Sequence, residues 1–249
     1  MLRGLSVQPN IRPDTAVASH DEARRVLHGE AQNREALSAS ELSYSEPRGF
    51  REEPAPPDVA EERPALLLHS CCGPCSTAVV ERLNRRFRIT IYFCNSNITE
   101  EDEYRRRLDA QRSFVDACNA SADCTEPLTL AVAPYAPEAF LEAVRGLESE
   151  PEGGARCRIC VRDRLERTAA YAAMHGFDTF STTLSVSPHK NFVMISELGH
   201  ELALRYGLAF LAEDFKKQDG FRRSAILSEA YGLYRQSYCG CRFSARDGE

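Results

Sequence analysis

Residues 65–86, ALLLHSCCGPCSTAVVERLNRR, hold an apolar run, a turn signal and a stretch of helical periodicity in direct succession. The run Ala65–His69 is short and aliphatic, which is typical of a buried strand, and the apolar positions of 74–86 recur at helical spacing. Pro74 suits the first helical position, where a missing backbone N–H costs nothing. This stretch therefore predicts a strand that leads directly into a helix.

The same alternation continues toward the C-terminus. Further strands are predicted at 89–94, 128–133, 178–182 and 208–211, and further helices at 101–119, 137–147, 158–175, 190–206 and 221–231. Strands that alternate with helices indicate the α/β class, with a parallel, doubly wound sheet that carries helices on both faces. Ligands of such sheets bind at the carboxyl ends of the strands, near the point where the strand order reverses.

Residues 1–64 have a different composition, rich in Ser, Glu, Arg and Pro and poor in aliphatic side chains. Such a segment cannot bury enough apolar area to offset the chain entropy lost on folding. We predict a disordered or loosely helical extension over 1–64, with a short helix at most over 21–37, followed by one folded domain over 65–246.

Charge and hydropathy narrow the class of protein. The 249 residues carry 31 Lys and Arg against 37 Asp and Glu, a net charge of −6, which disfavours a general nucleic-acid coat protein. The charge is uneven, because 1–64 has a net charge of −4 and 189–246 one of +3. The first 20 residues lack the apolar core of a signal peptide, and no stretch is apolar enough to span a membrane. We therefore predict a soluble, cytoplasmic protein that does not contact a membrane.

Ten cysteines are many for a chain without a secretory signal, so metal or redox chemistry is favoured over a disulfide scaffold. Seven of them fall in three motifs: Cys71, Cys72 and Cys75; Cys157 and Cys160; Cys239 and Cys241. Seven thiols exceed the four ligands of one zinc ion or one cubane cluster. They indicate two metal centres, or one cluster with a redox-active thiol pair. The other three, Cys94, Cys118 and Cys124, are predicted to be packing residues.

Polar motifs follow the other predicted strands. Thr99 is a plausible N-cap for the helix after the second strand, with acidic residues in its first turn. Two asparagines before it, Asn95 and Asn97, can bind a polar ligand. His189 can transfer protons, and basic side chains near it in sequence or after the last strand can contact phosphates: Lys190, Lys216, Lys217, Arg222 and Arg223.

The motifs together resemble those of the cobalamin-independent epoxyqueuosine reductases, the QueH family. The resemblance runs from about Ala65 to Phe243 and leaves out 1–64. It rests on LLLHSCCGPCS, YFCNSNITEEDEYRRRLDAQ, GLESEPEGGARCRIC, TTLSVSPHKN, FKKQDGFRRS and YGLYRQSYCGC. It implies a Rossmann-like, HUP-like fold and the two-electron deoxygenation of epoxyqueuosine to queuosine at the wobble position of tRNA, the last step of queuosine biosynthesis. It also implies a 4Fe–4S cluster and one nearby mononuclear iron.

The resemblance assigns roles to the cysteines. Four would bind the 4Fe–4S cluster: Cys71, Cys72, Cys157 and Cys160. Cys239 and Cys241 would be a redox-active pair or ligands of the second iron, and Cys75 is assigned provisionally to that iron. Such a metal centre suits the reaction, since a Lewis-acidic iron stabilises the leaving epoxide oxygen and a cluster supplies single electrons. His69, His189 and Tyr238 are the alternatives for proton delivery.

The tRNA would be bound by local phosphate contacts and by stacking of a splayed-out base. The predicted substrate-binding residues are Asn95, Asn97, Lys190, Lys216, Lys217, Arg222, Arg223 and Tyr234, with Phe221 as the alternative stacking residue. No dinucleotide fingerprint is present, so the electrons would come from an external donor, of ferredoxin or flavodoxin type.

Two other functions compete with this interpretation. An ATP-dependent iron–sulfur tRNA-thiolation enzyme of related fold needs a Gly-rich phosphate loop after the first strand, and here that position reads HSCCGPCS. A non-catalytic, zinc-stabilised tRNA-binding module would hold zinc tightly and be colourless. Metal analysis with an absorption spectrum separates the second alternative from the reductase.

Overall fold

The structure, a computed structural model, describes residues 63–122 and 124–244. The predicted extension, with its short helix at 21–37, lies outside these residues except for Arg63 and Pro64. Its boundary with the folded domain stays a prediction.

Within the described residues, every predicted strand and helix is present, with ends that differ by a few residues. The strands are β1 (Ala65–Ser70), β2 (Arg88–Phe93), β3 (Thr129–Val132), β4 (Thr179–Thr182) and β5 (Ala209–Phe210). The helices are α1 (Gly73–Leu83), α2 (Glu101–Ala120), α3 (Pro137–Ala143), α4 (Ala155–Met174), α5 (Phe192–Tyr206) and α6 (Gly220–Ala230). Short 3₁₀ turns follow at Thr183–Val186 and Arg242–Ser244.

The five strands form one parallel sheet in the order β3-β2-β1-β4-β5. In the register, Leu67 of β1 lies opposite Thr90 on one side and Phe180 on the other. The strand order therefore reverses between β1 and β4, and a crevice is expected at their carboxyl ends. The α/β class and the Rossmann-like strand order are confirmed.

The central strand β1 explains why its sequence is an unbroken apolar run. Leu66, Leu67 and Leu68 are all fully buried. Leu67 packs with residues of α4 and α5 on one face of the sheet, whereas Leu66 and Leu68 pack with residues of α1 and α2 on the other. A strand covered by helices on both faces has no solvent-facing positions, so polar alternation is lost.

The start of α2 corrects one prediction. The N-cap position is Glu100, whose side chain makes no capping bond, so the predicted capping role of Thr99 is wrong. The Thr99 hydroxyl instead accepts a hydrogen bond from the backbone N–H of Arg242 at 3.0 Å. The acidic first turn is present in Glu101–Glu103, where carboxylates stabilise the helix dipole. Thr99 thus fastens the C-terminal segment to the start of α2.

Among the helices within 63–122 and 124–244, none has the length and apolar content that a membrane crossing needs.

Candidate active site

The first cysteine motif lies at the carboxyl end of β1, beside the reversal of strand order. Cys71 and Cys72 form the turn after β1, and Cys75 lies in the first turn of α1. Their three Sγ atoms, the cysteine triad, lie within 4.8 Å of one another, and those of Cys71 and Cys72 are 3.8 Å apart. Two thiolates on one tetrahedral metal ion have sulfurs about 3.8 Å apart at metal–sulfur distances of about 2.3 Å. The triad therefore fits a metal ion or cluster with thiolate ligands.

The three thiols of the triad differ in acidity. Hydrogen bonds from Cys72 and Cys75 hold the pKa of Cys71 well below its usual range. The same contacts raise the pKa of Cys72 to about 12 and that of Cys75 well above its usual range. Cys71 is therefore the first of the three to become a thiolate, the form that binds metals.

Direct contact between the start of α1 and the middle of α2 holds the triad in place. A Cβ on Gly73 would lie 2.5 Å from the carbonyl oxygen of Ala110, so only glycine permits this approach. Two serine hydroxyls, of Ser70 and Ser76, donate to Oε1 of Gln111 at 2.6 and 2.9 Å. Backbone contact and buried hydrogen bonds thus fix the turn after β1 against α2.

The other four motif cysteines, the cysteine quartet, line a small cavity. Cys157 and Cys160 lie in the first turns of α4, and Cys239 and Cys241 come from the C-terminal loop. Burial raises the pKa of Cys160 to about 12. The Sγ of Cys157 accepts a hydrogen bond from the backbone N–H of Gly153 at 3.2 Å. The second and third sequence motifs therefore meet in space, and all ten cysteines of the chain are free thiols.

A larger cavity of about 310 Å³ lies between the triad and the quartet. Its wall includes Cys71 and Cys75 of the triad and Cys239 of the quartet. Arg164 and Lys190 line both this cavity and the small one. A volume of about 310 Å³ falls in the range of small-molecule sites. The cavity therefore has room for one small-molecule ligand, bordered by thiols and cations.

The C-terminal loop is fixed by α2. The buried Arg107 donates from Nη1 and Nη2 to the carbonyl oxygens of Cys239 and Tyr238, both at 3.0 Å. Its Nε donates to Glu103 at 2.6 Å, and the second oxygen of Glu103 accepts the Tyr234 hydroxyl at 2.7 Å. One buried ion pair therefore positions the loop that carries half of the quartet.

Lys190 and His189, two residues of the predicted site, line the larger cavity. Lys190 donates from Nζ to the Sγ of Cys239 at 3.1 Å and pairs with Glu152 at 3.1 Å. Burial by itself lowers the pKa of Lys190, but the adjacent Cys239 outweighs burial and raises it. Lys190 is therefore an ammonium group that links the loop before α4 to the quartet. His189 is exposed at the cavity wall.

Asn95 and Asn97 are buried beside the site rather than in the wall of the larger cavity. The Asn95 amide donates to the carbonyl of Ser70 at 2.9 Å, and that of Asn97 to the carbonyl of Cys239 at 3.5 Å. Both Oδ1 atoms are buried without a hydrogen-bond partner in the described part of the chain. The amides hold the two cysteine-bearing loops, and their role in substrate binding stays a prediction.

Most of the predicted basic residues lie outside the cavity wall: Lys216, Lys217, Arg222 and Arg223. Lys216 pairs with Asp214 at 2.9 Å, and Arg223 pairs with Glu81 of α1 through two hydrogen bonds. Lys217 and Arg222 are exposed. Phe221, next to Arg222, is part of the wall and has 44% of its surface exposed. Tyr234 lies outside the wall and bonds to Glu103 instead.

The three proton-delivery candidates are placed differently. His69 is buried, with Nε2 donating to the carbonyl of Cys94 at 3.1 Å and Nδ1 accepting from the Thr182 hydroxyl at 2.8 Å. Burial lowers the pKa of His69 to about 4, so the ring is neutral, and it does not border the cavity. Tyr238 does border it, and burial raises the pKa of its phenol. Of the three candidates, Tyr238 and His189 border the cavity, and their role in proton delivery stays a prediction.

Five charged or amide residues of the larger cavity's wall were not predicted from the sequence: Arg107, Glu152, Arg164, Arg235 and Gln236. The Gln236 amide donates to the Sγ of Cys72 at 3.0 Å, and its Oε1 has no partner among the described residues. Helical spacing was the available signal for two of them. Arg164 follows Cys160 by four residues, and Arg107 precedes Gln111 by four, so each pair shares one helix face.

Comparison with known proteins identifies the family of this chain. A family model described as "Epoxyqueuosine reductase QueH" matches residues 66–247. The chain is 46% identical over 184 residues to an epoxyqueuosine reductase QueH of Streptococcus pyogenes serotype M1, covering 74% of this chain and 71% of that protein. It is 42% identical over 186 residues to one from Staphylococcus epidermidis (74% and 77% covered), and 33% identical over 180 residues to one from Thermotoga maritima (72% and 89%). The chain therefore belongs to the epoxyqueuosine reductase QueH family.

Proposed function

We propose that this protein reduces the epoxide of epoxyqueuosine in tRNA to the alkene of queuosine. One observation carries the proposal beyond the family name: cysteines of the first and third motifs border one cavity of about 310 Å³, and the second motif lines a small cavity that shares Cys239, Arg164 and Lys190 with it. A tRNA substrate also agrees with action in the cytoplasm.

The reaction sets what the site must supply. Both bonds of the epoxide oxygen to carbon break, a carbon–carbon double bond forms, and the oxygen leaves as water. The balance needs two electrons and two protons. We assign the electrons to an external donor of ferredoxin or flavodoxin type, and the protons to Tyr238 and His189 at the cavity wall.

The thiols suit an iron centre, because thiolates are the soft ligands that iron–sulfur clusters take. When bound, a 4Fe–4S cluster supplies single electrons, and an adjacent iron acts as a Lewis acid. We retain Cys71, Cys72, Cys157 and Cys160 as the proposed cluster ligands, with Cys75 for the second iron and Cys239 and Cys241 as a redox pair or as further ligands of that iron. Because the Sγ atom of Cys75 lies within 4.8 Å of those of Cys71 and Cys72, an iron held by Cys75 would lie beside the cluster.

The cavity opening offers contacts for an anticodon loop. The exposed ring of Phe221 suits stacking of a nucleobase, and Arg235 adds a cation to the wall. Exposed Lys217 and Arg222 suit phosphate contacts outside the wall. The cavity wall thus recognises the modified base, and the surrounding cations bind the phosphate backbone of the tRNA.

The ATP-dependent alternative has less support. A phosphate loop needs backbone N–H groups directed at the ligand. The turn after β1 instead directs the three sulfurs of the triad toward one another. The family match also names a reductase rather than a thiolation enzyme.

The reductase activity is tested with anaerobically prepared protein, a chemical reductant and tRNA that carries epoxyqueuosine. Mass spectrometry of the digested nucleosides should show loss of one oxygen atom from the modified base. Cys239→Ser should abolish the conversion, whereas Cys118→Ser, outside the site, should retain it. Unchanged epoxyqueuosine with metal-loaded protein would refute the proposal.

The metal assignment has its own test. Protein purified without oxygen should contain iron and sulfide and absorb as an iron–sulfur protein that bleaches in air. Cys71→Ser and Cys157→Ser should each lose this absorption, and Cys124→Ser should keep it. A colourless protein with tightly bound zinc would instead support the non-catalytic module.

The phosphate contacts are tested by salt dependence. The double change Lys217→Glu with Arg222→Glu should weaken tRNA binding and reduce the slope of log affinity against log salt by about 0.7 per lost contact. The control is Arg145→Glu, on the exposed segment after α3, which should bind as the wild type does. Equal slopes in all three proteins would exclude these two side chains.

A further inference from the structure

Arg164 is a cation in the protein interior, placed between the two cysteine groups. Its side chain lines the larger cavity with Cys71 and Cys239, and the small cavity with all four cysteines of the quartet. Only 2% of Arg164 is exposed to solvent. Its position on α4 is one turn beyond Cys160, whose carbonyl accepts a hydrogen bond from Nε of Arg164 at 3.2 Å.

This arginine has no carboxylate partner in the described part of the chain. Buried Arg107 pairs with Glu103 at 2.6 Å, and Lys190, which lines the same two cavities, pairs with Glu152. Three other arginines on α4 have acidic partners, namely Arg158, Arg162 and Arg167. Arg156, which lines the small cavity only, donates from Nη1 to three backbone carbonyl oxygens instead. Of the two described cations that line both cavities, Arg164 is therefore the one without a carboxylate partner.

A guanidinium stays charged in proteins, and a buried charge without an opposite charge is costly. Its nearest candidates for a negative charge are thiolates. Cys160 lies one turn before Arg164 on α4, and Cys239 lines both cavities with it. Because metal-bound cysteines are thiolates, a centre with several of them carries net negative charge.

We infer that Arg164 is the compensating charge of the metal–thiolate centre, stabilising the anionic, metal-bound site rather than the fold itself. The inference rests on the proposed metal site but requires neither the tRNA substrate nor the reductase activity. It assigns a role to a residue that pairs with no carboxylate within 63–122 and 124–244 and that lies outside the three cysteine motifs.

The first test uses cobalt(II) alone as the probe metal, added to reduced, metal-free protein. Thiolate-to-cobalt absorption, titrated against a chelator, gives the affinity. Arg164→Met, which keeps the length and removes the charge, should bind Co(II) at least about tenfold more weakly, which is ~1.4 kcal/mol. Arg164→Lys, which keeps the charge, should recover most of the affinity.

The second test separates charge from packing. The urea midpoint of metal-free Arg164→Met should be no lower than that of the wild type, since the variant removes a buried charge without a carboxylate. The matched control is Arg162→Met on the same helix, where the arginine pairs with Glu201 at the surface. This control should bind Co(II) with wild-type affinity.

A third readout is the reduction potential of protein reconstituted with iron and sulfide. Reduction adds negative charge, which a nearby cation stabilises. The potential of Arg164→Met should therefore be more negative than that of the wild type, with Arg164→Lys between them.

Four results would overturn the inference: wild-type Co(II) affinity in Arg164→Met, a large loss of metal-free stability in that variant, a folded Arg164→Lys that fails to recover binding, or a wild type that shows no thiolate-to-cobalt absorption.

The test is independent of the proposed reaction. If cobalt binding follows the expected order while epoxyqueuosine is not reduced, the proposed function fails and the role of Arg164 stands. If epoxyqueuosine is reduced while Arg164→Met binds cobalt normally, only the role of Arg164 fails.

Discussion

The close approach of α1 to α2 makes Gly73→Ala the sharpest test of how the site is held. The added Cβ would lie 2.5 Å from the carbonyl oxygen of Ala110, whereas ordinary contact begins at 3.4 Å. The first turn of α1 must therefore move away from α2 by about 0.9 Å. Overpacking of this kind costs about 1–3 kcal/mol, and for a domain of this size ~2 kcal/mol lowers Tm by about 4–8 °C.

The same movement should disturb the metal site. It pulls the triad away from Gln111, whose Oε1 accepts hydrogen bonds from Ser70 and Ser76. We expect Gly73→Ala to bind Co(II) more than about tenfold more weakly, because the three sulfurs no longer converge with the same geometry.

A matched control is Gly199→Ala on α5. There the added Cβ would clash with the buried ring of Phe210, far along the chain from the cysteine motifs. Both variants should have a lower Tm in thermal unfolding of the metal-free protein, but only Gly73→Ala should lose metal affinity. A Gly73→Ala protein with wild-type Tm and wild-type Co(II) binding would refute the proposed contact between α1 and α2.

Three further predictions concern the core, a buried histidine and the C-terminal loop. Leu67→Ala should lower the free energy of unfolding, measured by urea denaturation, by about 2–5 kcal/mol. Leu204→Ala, at an exposed position, should change it by less than about 0.5 kcal/mol. Equal effects of the two substitutions would contradict the burial of β1. The folded pKa of His69 is about 4, against an ordinary value of 6.5, so the unfolded chain binds a proton at this histidine before the folded protein does. Up to about 3 kcal/mol of the free energy of unfolding is therefore lost as the pH falls from 6.5 to 4. His69→Gln should lose less stability over this pH range, and an equal loss would contradict the buried neutral ring. Arg107→Lys removes the paired hydrogen bonds to the carbonyl oxygens of Cys239 and Tyr238, so the C-terminal loop should open more often. Alkylation of the buried Cys241 thiol by iodoacetamide in metal-free protein should then be about tenfold faster. An unchanged rate would show that the loop is held by other contacts.

The sequence was sufficient for the fold because strand and helix signals are local. The aliphatic run of β1, the turn with Pro74 and the helical periodicity of α4 each depend on a few neighbouring residues. The cysteine motifs were also recognisable, since their spacing is short. The helix ends were less accurate: α3 stops at Ala143, followed by Gly146 with a positive φ of 82°.

The residues that hold the site were not predictable in the same way. Three consecutive arginines, Arg105–Arg107, look alike in sequence, but only Arg107 is buried and reaches the C-terminal loop. Thr99 has the composition of an N-cap, yet its hydroxyl bonds to a backbone N–H more than 140 residues away. Such roles depend on long-range contacts, and a single sequence does not contain them.

Helix direction explains why distant motifs converge on one site. In a parallel sheet each crossover helix begins at the carboxyl edge of the strands and returns to the other edge. Cys75 lies in the first turn of α1, Cys157 and Cys160 in the first turns of α4, and Lys190 just before α5. The N-termini of α1 and α4 thus add partial positive charge beside the thiols, and this favours thiolates as Arg164 does. Substitutions in the last turns of these helices, at the opposite edge, should therefore alter stability without altering metal affinity. Tyr206→Ala at the end of α5 tests this, and a loss of Co(II) binding in that variant would show that the site depends on more than the carboxyl edge of the sheet.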